Sequence, residues 1–335
     1  MSGGIGIAIT SKDLAALCGV SQGTVDRALH NRPGISPKTR EKILETAARL
    51  GYRVDQRARS LVKGRTMTLG VVLPDLERRF FSEIAGSIED NARQRGYFIY
   101  LTLTRWDPDE EFTCVERLAG MQVDALILFS VREDPLYESY LGGLSIPVIT
   151  VGNRLSQAFP FVGIDDYAAA GDAVGYILSR GYRRILYLSP PPALHDSENI
   201  YAASRRLAGC IDALRQAGRG VESWIVDTPD YLMKLDMIGF IRERRAAILC
   251  SGDLYALEVM YHLASRGVRI PSEVGVMGFE AVDMLRHVRP ALSSVAFPAD
   301  RLGARAVDLA LQRIHGREDW TDAILEHRIV EGETL

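Results

Sequence analysis

No stretch of this chain stays apolar for the roughly twenty residues that a membrane-crossing helix needs. The opening G-G-I-G-I-A-I lacks the basic start and small-residue cleavage site of a secretory signal, so a cytoplasmic protein without a membrane partner is expected. Cysteine is scarce. Cys18, Cys114, Cys210 and Cys250 show no CxxC or Cys/His ligand spacing, which argues against a disulfide framework or thiolate metal site and reads all four as small buried apolar residues. The six histidines form no metal-spaced pair, and HExxH, GxSxG, a complete GxGxxG and a P-loop are all missing. The glycines at residues 3–6 lack the third glycine of a phosphate loop and follow no strand. No metal and no cofactor are expected. Catalytic triads are assembled in space and leave no such trace, so an enzyme stays open as an alternative.

Positive charge is also in deficit over most of the chain. Residues 67–335 hold 28 Lys and Arg against 38 Asp and Glu, whereas residues 1–66 hold 12 against 5. The net charge of −3 conceals a basic head and an acidic body. Clustered Lys and Arg bind phosphate by releasing condensed counterions, so the head is marked for nucleic acid. With 335 residues, 47% of them hydrophobic, two or three folded domains are allowed.

The head carries T-S-K-D-L-A-A-L-C-G-V-S-Q-G-T-V-D-R from Thr10 to Arg27. Leu14, Leu17 and Cys18 recur at helical spacing, Gly19 and Val20 interrupt, and Ser21 is placed to cap a second helix bearing Val25, Ala28 and Leu29. This is the layout of a helix-turn-helix, whose second helix enters the major groove. Gln22, Gly23, Asp26 and Arg27 are then the positions facing base edges. An ordinary helical hairpin is the bland alternative. Ser36 and Pro37 open a third helix with Ile43, Leu44, Ala47, Ala48 and Leu50 before Gly51. The following segment is basic and reads first as a linker, yet Asp55 and Gly64 could bound a short helix that forms only on binding. Leu61 would be its wedge into the minor groove.

From Thr68 onward, short apolar runs alternate with amphipathic stretches. L-G-V-V-L, F-I-Y-L-T-L, A-L-I-L-F, V-I-T-V, R-I-L-Y-L, A-I-L-C and V-G-V-M are strand-like. Runs apolar on both faces suit buried parallel strands with helical crossovers, hence a doubly wound α/β body. There are too many units for one sheet, so two lobes with a ligand-binding cleft are expected.

Taken together, these residues resemble a LacI/GalR-type transcriptional regulator over nearly the whole length. The resemblance is carried in the head by K-D-L-A-A-L-C-G-V-S-x-x-T-V at 12–25, S-P-K-T-R-E-K-I at 36–43 and A-R-S-L at 58–61. In the body it is carried by L-G-V-V-L-P-D at 69–75, F-F-S-E-I at 80–84, I-P-V-I at 146–149, V-G-I-D-D at 162–166, R-L-A-G at 206–209, V-R-I-P-S-E-V-G-V-M-G-F at 268–279 and P-A-L-S-S-V at 290–295. It implies an N-terminal all-α helix-turn-helix head and an α/β periplasmic-binding-protein-like body of two doubly wound lobes. The expected divisions are an extension at 1–9, the DNA-binding domain at 10–53, a hinge at 54–66 and the effector-binding and dimerisation domain at 67–335. Lobe 1 takes about 67–164 and 296–325, lobe 2 about 165–295 and 326–335. A homodimer would bind a pseudo-palindromic operator, and a small polar, carbohydrate-like effector would control it allosterically. The family's tetramers add an apolar heptad tail, whereas this chain ends in E-G-E-T-L, so a dimer is expected.

Carried over by position, the resemblance places Gln22, Gly23 and Arg27 at base contacts, Ser21 and Thr24 at phosphates, and Leu61 at the central step, with Arg57 and Ala58 also in the hinge contact set. Asp26 stands where the family usually has Ser; it could accept from cytosine N4 or merely pair with Arg27. Arg57 replaces a commonly apolar residue. The implied effector contacts are Phe80, Phe81, Asp165, Arg206, Asp253 and Glu280. Glu280 replaces the usual Asp, and Gly252 a frequent Asn. Phe80 or Phe81 could be plain core and Asp165 a strand-end cap. A sugar-responsive repressor is the leading expectation. An activator of the same architecture, or a binding protein or enzyme tethered to DNA by its basic head, is the alternative.

Overall fold

The computed structural model describes residues 9–52, 64–189, 198–237 and 245–335 and divides into two compact units, Met1–Thr66 and Met67–Leu335. The hinge positions Arg57, Ala58 and Leu61 lie outside the described residues.

The first unit is built from α1 (Ser11–Cys18), α2 (Gln22–Leu29) and α3 (Pro37–Arg49). Thr10 and Asp13 form a reciprocal capping box, so two orphan N–H groups of α1 are satisfied. Gly19 stops α1 in the left-handed region (φ 68°), where a side chain would be strained. Ser21 caps α2 through Thr24 N–H at 3.2 Å, and Ser36 caps α3 through Thr39 N–H at 3.1 Å, with Pro37 at the first helical position. The core is small: Leu14, Ala15, Cys18, Val25, Ala28, Ile43 and Ala47, with Val20, Leu29, Ile35 and Tyr52 packed around it. Leu17 and Leu44, expected on the apolar faces, are 60% and 44% exposed, whereas Ala15 and Thr46 are buried.

The second unit contains two six-stranded sheets. The first is fed by β1 (Thr68–Leu73), α4 (Arg79–Gln94), β2 (Phe98–Leu103), α5 (Pro108–Gly120), β3 (Ala125–Leu128), α6 (Pro135–Gly142), β4 (Val148–Val151) and β5 (Phe161–Ile164). The chain then passes through α7 (Asp166–Ser179), β6 (Arg184–Leu188), α8 (Tyr201–Gln216), β7 (Glu222–Val226), α9 (Tyr231–Met237), β8 (Ala246–Cys250), α10 (Asp253–Ser265), β9 (Val274–Glu280) and β10 (Ser293–Ala296). Finally α11 (Ala299–Ile314) and β11 (Ala323–Leu325) return to the first lobe, and β12 (Arg328–Val330) ends in the second.

Sheet order is β11-β5-β4-β3-β1-β2 in one lobe and β12-β10-β9-β8-β6-β7 in the other. All pairings are parallel except β10 with β12. Central strands such as β3 and β8 are buried on both faces, whereas the edge strand β2 leaves Phe98 and Tyr100 outside. Gly209 explains how closely α7 and α8 meet: a Cβ there would stand 2.1 Å from the Tyr167 carbonyl oxygen.

Candidate functional site

Two places in the molecule carry chemistry, one in each unit. In the head, α2 presents Gln22 and Gly23 from its first turn and Arg27 from its last turn to solvent, and Ser21 is exposed beside them. Neither the Gln22 amide nor the Arg27 guanidinium has a protein partner among the described residues. Thr24 is half-buried, its hydroxyl 2.9 Å from that of Ser21. Asp26 does not pair with Arg27. Its Oδ1 lies 3.0 Å from His30 Nδ1 and its Oδ2 accepts from Arg32 Nη1 at 3.0 Å, because i+4 lies beside it on the helix and the turn after α2 brings Arg32 back. The carboxylate is therefore engaged within the head, while Arg27 is left free.

In the body, a cavity of about 450 Å³ opens between the two lobes. Its position follows from topology, since ligands in open parallel sheets bind outside the carboxyl ends of the strands. Phe129 follows β3, Gly152 follows β4, Ser189 follows β6, Asp227 follows β7, Ser251 follows β8 and Phe297 follows β10, while Glu280 is the last residue of β9; all seven line the cavity. Phe80 and Phe81 enter from the first turn of α4 and Arg206 from α8.

One side is an aromatic cluster. Phe81 meets Phe80, Trp106 and Phe129 at ring-centroid distances of 5.3, 5.8 and 4.9 Å, and Phe297 meets Phe80 edge-on at 5.5 Å. Asp75 fixes the Trp106 edge by accepting its Nε1–H at 2.7 Å, and Arg78 stacks on the indole at 4.3 Å.

The other side is polar. Arg206 donates through Nε to Asp166 and through Nη1 to the Ser251 carbonyl, both at 2.7 Å, and its plane lies between Phe279 and Phe297 at 5.0 Å from each. Nη2 has no protein partner among the described residues. The Ser251 hydroxyl is buried without a partner among the described residues. Glu280 adopts φ 103°, a costly conformation for a non-glycine residue, and its carboxyl faces the cavity with no hydrogen-bond partner among the described residues. Burial pushes that carboxyl up to about 8, reinforced by the nearby Asp253 carboxyl and opposed by Arg206 and Arg78. A Cβ on Gly252 would lie 3.7 Å from Glu280 Oε1, so glycine leaves room beside this carboxyl.

Of the six expected effector contacts, Phe80, Phe81, Arg206 and Glu280 line the cavity, and Asp165 and Asp253 do not. Asp165 caps α7, accepting the Tyr167 and Ala168 N–H groups at 3.1 Å; the following residue, Asp166, faces inward and holds Arg206. Asp253 sits beneath the site, accepting from the Ser294 hydroxyl at 2.6 Å and Val282 N–H at 3.0 Å, which ties β10 and the chain after β9 to α10. Asn153 and Asn199 were not anticipated. Asn153 Nδ2 donates to the Ser130 and Asn199 carbonyls (2.6 and 2.9 Å), its Oδ1 accepts from Ala202 N–H, and Asn199 Nδ2 donates to the Arg154 carbonyl at 3.0 Å. This buried clasp joins the lobes at the cavity floor, and the exposed, two-pronged Arg79–Asp283 pair at 2.8 and 2.9 Å joins them elsewhere.

Among the described residues no helix is long and apolar enough to cross a membrane, and no group of His, Cys, Asp and Glu suits a metal ion. The family profile for bacterial regulatory proteins of the lacI family matches residues 10–55, and that for the periplasmic binding protein-like domain matches residues 174–335. The catabolite control protein A of Priestia megaterium is 31% identical over 329 residues, covering 96% of this chain and 97% of that protein. The HTH-type transcriptional repressor CytR of Escherichia coli K12 is 27% identical, covering 92% and 91%. The crystal structure of the lac repressor dimer bound to operator and the anti-inducer ONPF has the same fold, with a TM-score of 0.84 at 23% identity over 98% of this chain and 99% of that one. Near-complete coverage of a relative at this identity, joined to the two profiles, places the chain in the LacI family of bacterial regulatory proteins.

Proposed function

We propose that the protein is a dimeric repressor that reads a pseudo-palindromic operator through α2 and changes its operator affinity when a small carbohydrate-like metabolite fills the interlobe cavity. The observation that carries this reading is that one chain holds both an unengaged recognition-helix arginine, Arg27, and a two-lobed cavity lined by unpartnered polar groups. In the operator complex Gln22 and Arg27 reach base edges, Arg27 being suited to guanine O6 and N7, while Ser21 and Thr24 hold phosphates. Gly23 adds no side chain and lets the backbone come close. Asp26 acts by holding His30 and Arg32. The hinge residues Arg57, Ala58 and Leu61 belong to the minor-groove contact.

In the body, Phe80, Phe81 and Trp106 face the ring of the effector, and Arg206 and Glu280 meet its hydroxyls. Because the clasp of Asn153 and Asn199 spans the cavity floor, occupancy acts on the relative stability of lobe arrangements. A ligand shifts that equilibrium only by its difference in affinity for the two states. The test is capture of genomic fragments on the immobilised full chain, followed by elution with pools of metabolites. Release of a defined fragment by one metabolite supports the reading. Fragments held without sequence preference and released only by salt would sink it.

A further inference from the structure

The cavity handles its charges unevenly. Each of the arginines lining it is engaged by a protein carboxylate. Arg206 is bound to Asp166 at 2.7 Å in a pair whose side chains are 13% and 3% exposed, and Arg78 lies 3.8 Å from Asp75 with its guanidinium on Trp106. Of the three acidic residues lining it, Glu198, Asp227 and Glu280, the last two are not matched in return. Asp227 and Glu280 both line the cavity, and neither has a hydrogen-bond or ion-pair partner among the described residues. An incoming anion would therefore meet two cations already engaged by carboxylates and the unpaired Asp227 carboxyl.

Building on the effector reading, we infer that the cavity selects uncharged, hydroxyl-bearing ring compounds and rejects their phosphorylated and carboxylated counterparts. The remaining polar atoms suit hydroxyls, which both donate and accept. Arg206 Nη2 donates, the partnerless Ser251 hydroxyl does either, and the Asp227 carboxyl accepts. Phe80, Phe81, Trp106 and Phe129 supply an apolar surface for the C–H face of a ring, and Gly252 leaves open the volume beside Glu280 in which a ring substituent fits. Burial keeps the Glu280 carboxyl largely protonated in neutral solution, where it serves as a donor. A second full charge attracting cations is thereby removed.

The test is calorimetry on the full chain with matched probes: glucose against glucose phosphate and glucuronate, ribose against ribose phosphate, and uridine against uridine monophosphate. The neutral member of any set that binds is expected to bind at least ~10-fold tighter than its charged partners. Replacing the unpaired acid by its neutral isostere (Asp227→Asn) should narrow that ratio to within about threefold. Circular dichroism on the variant confirms its fold, and the wild-type ratio stands as evidence even if the variant fails to fold. A charged member binding as tightly as its neutral partner overturns the inference and leaves the small-molecule reading intact. No binding by any probe overturns both.

Discussion

Arginine appears in both functional regions of this molecule, in opposite states. On α2, Arg27 stands in solvent with no protein partner among the described residues, whereas in the cavity Arg206 is buried, clamped by Asp166 and the Ser251 carbonyl and flanked by two phenylalanine rings. A free guanidinium offers its full charge and its paired donors, which suits phosphate and the guanine edge. A committed one has spent its charge on a neighbour and offers a single directed donor. In the proposed function the same side chain serves a polyanion in one unit and a neutral ring in the other, and its partners decide which.

The contrast breaks most severely at Arg206. Arg206→Ala leaves Asp166 buried without its cation, so a loss of about 3–5 kcal/mol in unfolding free energy is expected, measured by denaturant titration. Any fraction that stays folded should bind no effector. Arg27→Ala should do the reverse. Stability should change by no more than about 0.5 kcal/mol, since the side chain is exposed and unpartnered. Operator affinity should fall by about 1–3 kcal/mol, with relaxed preference at one base pair, read by fluorescence anisotropy on a sequence series.

Glu280 sharpens the picture through pH. Its folded value of about 8 lies above the ordinary 4.5, so the stability it contributes is complete below about 4.5 and is lost as pH rises to about 8. The melting temperature of ligand-free protein should therefore fall between about pH 5 and 8 through this group, and Glu280→Gln should flatten that slope. The smallest effect is expected at Asp26→Asn, which weakens an exposed link to His30 and Arg32. Stability should drop by less than about 1 kcal/mol, and the released Arg32 should steepen the salt dependence of DNA binding.

How much of this could be read in advance differs between the two units for a physical reason. The head's site lies on one short helix and its cap, so Ser21, Gln22, Gly23 and Arg27 lie close together in sequence, and the caps at Ser21 and Ser36 announce the helices. What escaped reading was which apolar residues point inward, Ala15 rather than Leu17, and that the partner of Asp26 is four residues on, with a second beyond the helix end. In the body, unbroken apolar runs such as β3 and β8 stand out, while β5 is interrupted by Gly163, β7 and β10 open on polar residues, and β11 and β12 have three residues each.

The cavity gathers residues from many separate segments, and no spacing rule joins Trp106 to Asp227 or Phe297. A usable signal existed all the same. The residue at the carboxyl end of each recognised strand, such as Phe129, Ser189 or Ser251, sits at the mouth of the cleft by the geometry of parallel sheets. Asp165 satisfies the same rule and still turns away, because the two N–H groups opening α7 need its carboxylate more than the cavity does.

The central claim is that α2 reads sequence through its free arginine. Selection of binding sites from a random duplex pool, run in parallel on the full chain and on Arg27→Ala, tests it most directly. The account predicts an enriched inverted repeat for the natural chain, with a guanine in each half-site whose enrichment disappears in the variant. Enrichment of no particular sequence, or the same repeat with the same guanine from both proteins, would contradict it.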